Sequence, residues 1–174
     1  MKRATERYDT IALLGACALF LSTLEFLIPK PIPFMRLGLA NLPILVSLSF
    51  LSPGEILLLT FVKILGQGLI NGTLFSYVFL FSAAGSAASA LVMMGTYRLF
   101  GGRMTLTGVS VLGALASNCV QLLISRYLIF GEGAWLLAPP FLIIGTASSI
   151  ILGLFAERFA ETSRWIAGQR KGAA

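Results

Sequence analysis

The sequence predicts an all-α protein, a single polytopic bundle of about six transmembrane helices, and three observations support this fold class. Of the 174 residues, 57% are hydrophobic and only 11% are charged, whereas an ordinary soluble domain carries about 25% charged residues. Several apolar stretches approach the length of about 20 residues that a spanning helix needs. Proline- and glycine-containing turns separate these stretches. This composition excludes a soluble enzyme and a disordered chain.

Six apolar segments predict the helices in order. Four of them easily reach the length of a spanning helix, over residues 10–28, 73–97, 107–130 and 135–155. The segment 37–51 is shorter but uncharged. The segment 56–70 is the weakest, because Lys63, Gln67 and two glycines interrupt it. Turns are expected between the segments, at residues 29–33, 52–54, 71–72, 101–102 and 131–133.

The distribution of lysine and arginine predicts the orientation. With the N-terminus in the cytoplasm, the inner regions hold nine of these residues and the outer regions hold three, as the positive-inside rule requires. We therefore expect a cytoplasmic N-terminal tail (1–9), one six-helix transmembrane domain (10–156) and a basic amphipathic cytoplasmic tail (157–174). The net charge of +6 then indicates cytoplasmic loops and lipid headgroups as partners, and no nucleic acid.

The scarcity of certain residues excludes several kinds of chemistry. The chain has no histidine and a single aspartate, Asp9. Zinc sites with imidazole ligands and Ser–His catalysis are therefore absent. Chemistry that chelates several Mg²⁺ ions through clustered carboxylates has almost no ligands available. Cys17 and Cys119 lie in apolar stretches and are expected to be buried thiols without a disulfide. We predict no metal, no cofactor and no enzymatic activity, and because there is no phosphate-binding loop, any ATP-driven step needs a partner.

Polar residues inside the predicted spans point to a site. Lys63 lies about 12 Å into its helix, and ionisable groups at that depth usually face a cavity or a partner. Gln67 shares its face, and Asn118 and Gln121 share a face of the fifth helix. Two interpretations remain open. Either Lys63 pairs with Glu25 and the amides bond neighbouring helices, or these groups line a polar cavity that opens outward and suits a small anionic or strongly polar ligand.

The segment before the second helix extends this hypothesis. Arg36 precedes Gly38 and Asn41, and the arginine is either an interfacial residue or part of a lid over the cavity mouth. The cations would bind anionic groups, and the amides would orient the ligand. The candidate ligand-binding residues are Arg36, Asn41, Lys63, Gln67, Asn118 and Gln121.

Small residues recur at four-residue spacing on three helices. They allow helix backbones to approach closely in lipid, so packing within the bundle explains most of them. A face directed at another protein is the alternative, and Ala12 and Ala16 on the first helix are the best candidates. The other two stripes are Ser82, Ser86 and Ala90 on the fourth helix, and Gly145, Ser149 and Gly153 on the sixth.

Three stretches and one pair carry a family resemblance: RLGLAN at 36–41, KILGQGLING at 63–72, VSVLGA at 109–114, and Asn118 with Gln121. In this order they resemble the bacterial membrane family called both Gx transporter and heptaprenyl diphosphate synthase component I, over about residues 10–160. The family pattern has arginine at the position of Lys63 and histidine at the position of Ser117.

The resemblance implies a function. The family is similar to the substrate-binding membrane subunits of energy-coupling-factor transporters, which have six helices, cytoplasmic termini, an outward ligand pocket and a lid between helices 1 and 2. It implies that Ala12 and Ala16 dock on a transmembrane coupling protein that works with ATPase subunits, in a bacterial inner membrane. We expect a transporter subunit that binds a small polar or anionic compound. The alternatives are a non-catalytic membrane subunit for prenyl diphosphate synthesis and an anchoring subunit without a ligand.

Overall fold

The structure, a computed structural model, describes residues 2–29 and 37–173, and within them it is helical and contains no β-strand. This confirms the all-α prediction. The described residues form seven α-helices: α1 Lys2–Leu27, α2 Leu42–Ser47, α3 Pro53–Ile70, α4 Tyr77–Phe100, α5 Leu106–Ser125, α6 Ala138–Thr162 and α7 Arg164–Ala173. The chain between α5 and α6 stays helical, with a π-helix and then a 3₁₀-helix.

Most of these helices are long and apolar enough to cross a membrane. Four segments of the described chain meet this criterion: Arg7–Leu27, Pro53–Ile70, Tyr77–Phe100 and Leu106–Thr162. The last segment has 57 residues and contains both α5 and α6, which pack against each other. With α2, the bundle has six helices, in agreement with the predicted count of about six.

The second predicted span differs from the structure. Over residues 37–51 the only α-helix is α2, with six residues, which rises about 9 Å and cannot cross a bilayer. A 3₁₀ turn over Leu39–Asn41 precedes it, and Gly38 before that turn has a φ of 87°, a left-handed conformation that favours glycine. Ile44 and Leu45 on α2 are fully buried. The segment is therefore uncharged because it lies inside the protein.

The third helix is continuous, although its glycines predict an interruption. It begins at a capping box in which the Ser52 N–H donates to Glu55 Oε2 at 2.7 Å. Gly66 and Gly68 instead allow close packing, since a Cβ at either position would lie 2.7 Å from a neighbouring side chain, that of Leu19 or Phe79.

The helices α3 to α6 pack as antiparallel neighbours, and α1 runs parallel to α3. The small-residue stripe of α6 faces α5, as the packing interpretation predicted. Ser110 Oγ on α5 donates to the Ser149 carbonyl at 2.9 Å. A Cβ at Gly153 would lie 2.5 Å from Thr107 Cα. The backbones of α5 and α6 can approach this closely because position 153 has no side chain.

Two apolar clusters fill the interior at different levels of the bundle. The large cluster lies toward the N-terminal ends of α1, α3 and α5 and the C-terminal end of α6, and it includes Ile11, Leu59, Val109 and Ala156. The small cluster, formed by Phe81, Leu122 and Phe141, lies at the opposite level.

The two predicted tails are helical. Helix α1 begins at Lys2, and Arg7 forms an ion pair with Glu55 at 2.9 Å that joins α1 to α3. Helix α7 docks on the bundle, because Ile166 is fully buried in the large cluster and the Trp165 ring packs edge-on against a neighbouring ring at 5.8 Å. The basic tail is therefore a structured part of the fold.

Candidate functional site

A layer of buried polar side chains separates the two apolar clusters. Along α4, Phe81 belongs to the small cluster, Ser82 and Ser86 to this layer, and Ala90 to the large cluster. Helix α5 passes through the same three levels in the opposite direction. We call this layer the polar layer. Its buried members include Glu25, Thr60, Lys63, Gln67, Ser82, Ser86, Ser89, Ser117, Asn118 and Gln121.

Lys63 lies at the centre of the polar layer. Its side chain is 1% exposed, and its ammonium group donates to Ser86 Oγ at 3.1 Å and to Asn41 Oδ1. The Asn41 amide in turn donates to Ser89 Oγ at 3.2 Å. These bonds link α3, α4 and the 3₁₀ turn before α2. Burial of an ammonium group is costly, and this network is what compensates for part of that cost.

Glu25 on α1 is the second ionisable residue of the polar layer. It is also 1% exposed, and its Oε1 accepts a hydrogen bond from the Leu37 N–H at 2.8 Å. The Leu37 carbonyl accepts from Ser148 Oγ at 2.6 Å. Leu37 is therefore hydrogen-bonded to both α1 and α6. The sequence raised Glu25 only as a pairing partner for Lys63, and the structure adds it to the cavity wall.

The three other amide side chains, those of Gln67, Asn118 and Gln121, have different environments. Asn118 donates to the Phe141 carbonyl at 3.1 Å, and Gln121 donates to Ser117 Oγ at 2.8 Å. Gln67 donates to Ser82 Oγ. Although both glutamines are buried, the Oε1 atoms of Gln67 and Gln121 have no hydrogen-bond partner among the described residues. An unpaired buried acceptor normally costs about 1–3 kcal/mol.

Two glycines make room for these amides. A Cβ at Gly145 would clash with Asn118 Nδ2. A Cβ at Gly85 would lie 2.7 Å from both Gln121 Nε2 and Ser117 Oγ. Because neither position has a side chain, the polar groups of α5 fit between α4 and α6.

The polar layer encloses a cavity of about 30 Å³. An adjoining cavity of about 20 Å³ shares part of its wall, including Gly38, Asn41 and Ala114. Since one water needs about 10–15 Å³ of cavity volume, the two cavities together have room for about four waters. The larger cavity, called the polar cavity below, is lined by Glu25, Leu37, Gly38, Ala40, Asn41, Lys63, Ser86, Ala114, Ser117, Asn118 and Gly145.

Of the predicted ligand-binding residues, Asn41, Lys63 and Asn118 line the polar cavity. Gln67 and Gln121 are buried in the polar layer but do not line the polar cavity. Their amide groups donate hydrogen bonds to serines at or near the cavity wall. Arg36, and the lid expected around it, lie outside the described residues.

Sequence reasoning missed several lining residues. Ser86 belongs to a stripe that the sequence assigns to packing, and Ser117 stands out there only for its difference from the family pattern. Serine gives a weak signal because it packs between helices as readily as it lines a cavity. The small residue Ala114 gives no signal.

A second feature lies on the outside of the bundle. An apolar groove of about 400 Å³ runs between α1, α2, α6 and α7, with Leu13, Cys17 and Trp165 among its lining residues. The predicted docking residues Ala12 and Ala16 are exposed beside it.

The prediction of buried thiols was wrong, since Cys17 and Cys119 are both free and exposed on helix surfaces. An apolar stretch that faces lipid leaves such side chains on the outside of the protein.

Among the described residues, no group of three or more histidine, cysteine, aspartate or glutamate side chains is placed so that it could hold a metal ion.

In comparisons with known proteins, the sequence matches the family described as heptaprenyl diphosphate synthase component I over residues 14–159, which is most of the chain. No curated protein and no solved structure matches it significantly.

Proposed function

The chain belongs to the heptaprenyl diphosphate synthase component I family, and from this premise we propose that it is a membrane subunit that binds a small polar or anionic compound and transports it with an energising partner. Component I is the non-catalytic subunit, in agreement with the prediction that this chain is not an enzyme. Its apolar helices make it a multi-pass membrane protein in contact with the lipid bilayer.

One observation supports ligand binding above all: Glu25 and Lys63, each 1% exposed, line the same cavity inside a membrane bundle. Ionisable side chains at membrane depth are expensive and usually mark substrate or ion sites. Apolar packing alone would stabilise such a bundle without them, since replacing a buried ion pair by apolar residues is often neutral or stabilising. A role in ligand binding therefore explains why the bundle has two ionisable residues at this depth.

The proposed roles follow from the positions of the side chains. Lys63 and Arg36 would bind anionic groups of the compound, and Asn41 and Asn118 would orient it. Gln67 and Gln121, the two remaining candidates, would act mainly through the serine hydroxyls to which they donate.

The proposed orientation places both termini in the cytoplasm of a bacterial cell. The end of the bundle with α7 carries the basic residues Arg164, Arg170 and Lys171, which suit the inner surface. Exposed Tyr127 and Trp135 mark the other end, as interfacial aromatic residues do. In this orientation the polar cavity lies in the outer half of the transmembrane domain (10–156), between the tails at 1–9 and 157–174.

The binding step is tested by measuring what the purified protein retains. Ala114 lines both cavities, so Ala114→Phe should fill them, whereas Ala147→Phe places the same ring on the exposed face of α6. Native mass spectrometry should find a compound bound to the wild type and to the Ala147 variant in stoichiometric amount, and absent from the Ala114 variant. Equal contents in all three proteins would contradict the proposal.

The partner step is tested at Ala12. We propose that Ala12 and Ala16 dock on a transmembrane coupling protein with ATPase subunits, because small exposed residues allow close helix approach. Ala12→Trp should reduce the yield of the co-purified partner at least tenfold, while Leu24→Trp, on an exposed position of the same helix, should not. Equal yields would remove this face from the interface.

A second function is favoured by the description of the family. The chain would be the membrane subunit of a prenyl diphosphate synthase, and its cations would hold the diphosphate of an isoprenoid substrate. A co-purified soluble synthase, in place of ATPase subunits, would support this alternative.

A further inference from the structure

The charges that line the site cancel. Among the described residues that line the polar cavity and its neighbour, Glu25 and Lys63 are the ionisable ones. With its ordinary pKa a glutamate is negative and a lysine positive at neutral pH, and both residues are buried. This balance holds whether or not the two side chains contact each other. A ligand with a net charge would therefore leave one charge uncompensated in a low-dielectric interior, which is strongly unfavourable.

The acceptor group in the cavity wall also favours a ligand with donors. The Glu25 carboxylate lines the cavity, and an ionised carboxylate accepts hydrogen bonds but cannot donate them. Carboxylates and phosphates bring only acceptors, whereas ammonium, amide and hydroxyl groups bring donors. A pure anion would satisfy Lys63 but would bring no donor to Glu25.

The size of the site limits the ligand further. The two adjoining cavities have volumes of about 30 and 20 Å³, the space of about four waters. We count one non-hydrogen atom of the ligand for the space of each water, or slightly more. A compound that fits this space without moving a helix therefore has about four to six non-hydrogen atoms.

From these three observations we infer that the ligand is a small molecule with no net charge that carries both donors and acceptors, such as an amino-acid-like zwitterion. Its cationic end would lie toward Glu25 and its anionic end toward Lys63. This inference rests on the proposed binding function and narrows it, because it replaces the anionic compound that Lys63 alone would suggest.

Four probes of nearly equal shape separate charge from size. Alanine is a zwitterion, lactate an anion, alaninamide a cation and lactamide an uncharged molecule, and all share one carbon skeleton. Each is added at the same concentration to the purified full chain at pH 7, and the midpoint of thermal unfolding is measured. Alanine and lactamide should raise the midpoint, and lactate and alaninamide should need at least tenfold higher concentrations for the same shift. Ala114→Phe should remove the shifts, and Ala147→Phe should keep them.

Charge variants supply a second readout. Glu25→Gln leaves the cation of Lys63 and should make lactate the strongest probe. Lys63→Gln leaves the carboxylate and should make alaninamide the strongest. The double variant leaves neither charge and should favour lactamide over the three charged probes, because both ends of alanine would then be uncompensated; a shift with lactamide also shows that the double variant folds.

The outcomes separate this inference from the proposed function. Lactate as the strongest probe of the wild type would overturn the inference, and restoration of the alanine preference by Arg36→Gln would trace the extra charge to that residue. The inference would also be overturned if no probe raised the unfolding midpoint of the wild type more than that of the Ala114→Phe variant. The retention experiment with native mass spectrometry then reports independently whether the proposed binding function stands.

Discussion

Replacing Gly153 by alanine should destabilise the bundle, because it forces α5 and α6 apart. The new Cβ would lie 2.5 Å from Thr107 Cα, whereas ordinary contacts begin at 3.4 Å. Thr107 Cα is a backbone atom and cannot rotate away. The helices must therefore separate by about 0.9 Å at this level, and a gap of that size forfeits about a quarter to a half of each dispersion contact across it.

Three contributions set the size of the effect. Overpacking of this kind costs about 1–3 kcal/mol. The same movement stretches the 2.9 Å bond between Ser110 and Ser149 beyond hydrogen-bond length, which costs about 1 kcal/mol more. Alanine returns about 1 kcal/mol through its higher helix propensity. The net loss in the free energy of unfolding should be about 1–3 kcal/mol.

Thermal or denaturant unfolding of the purified protein in detergent measures this loss, with Gly95→Ala as the matched control. A Cβ at Gly95 on α4 meets nothing within 4 Å, so this variant should gain about 0.5–1 kcal/mol. If the Gly153 variant is as stable as the Gly95 variant, the close packing of α5 on α6 described above is refuted.

Three other predictions concern stability. Lys63→Met should cost about 3–5 kcal/mol because it leaves the buried Glu25 carboxylate uncompensated, and adding Glu25→Gln should recover most of that loss in the same unfolding assay; a double variant no more stable than the single one would contradict this. Asn118→Ala should cost about 1–3 kcal/mol, since the buried Phe141 carbonyl loses the amide that donates to it; an unchanged unfolding midpoint would argue against that bond. Ile166→Ala should cost about 2–5 kcal/mol and speed proteolysis within α7, and an unchanged cleavage rate would show that this side chain does not hold the helix.

The sequence predicted the long helices well, because an uncharged run of spanning length is rarely found outside a membrane helix. It failed at residues 37–51 for a physical reason. A short uncharged stretch is equally suited to lipid and to the interior of a protein, and hydropathy does not separate the two. The left-handed Gly38 and a 3₁₀ turn precede α2, and a glycine in sequence does not reveal its φ.

The site was predictable where burial is most expensive. Lys63 and Asn118 were identified because polar groups are costly at membrane depth, and Asn41 because it follows Arg36 and Gly38 before the second helix; all three line the polar cavity. Whether Gln121 faces the cavity or lies behind its wall depends on the rotation of α5 against α4. That rotation is set by side-chain packing around residues such as Gly85, which no periodicity in the sequence encodes.

An experimental density map can decide whether the polar layer is a ligand site or only a structural network. The protein should be purified gently from its own membrane, and the map should reach a resolution that shows water. If the layer binds a ligand, density larger than water should occupy the polar cavity, in contact with Lys63, Ser117 and Asn118. A cavity that holds two or three waters and nothing else would show that the layer serves the structure alone.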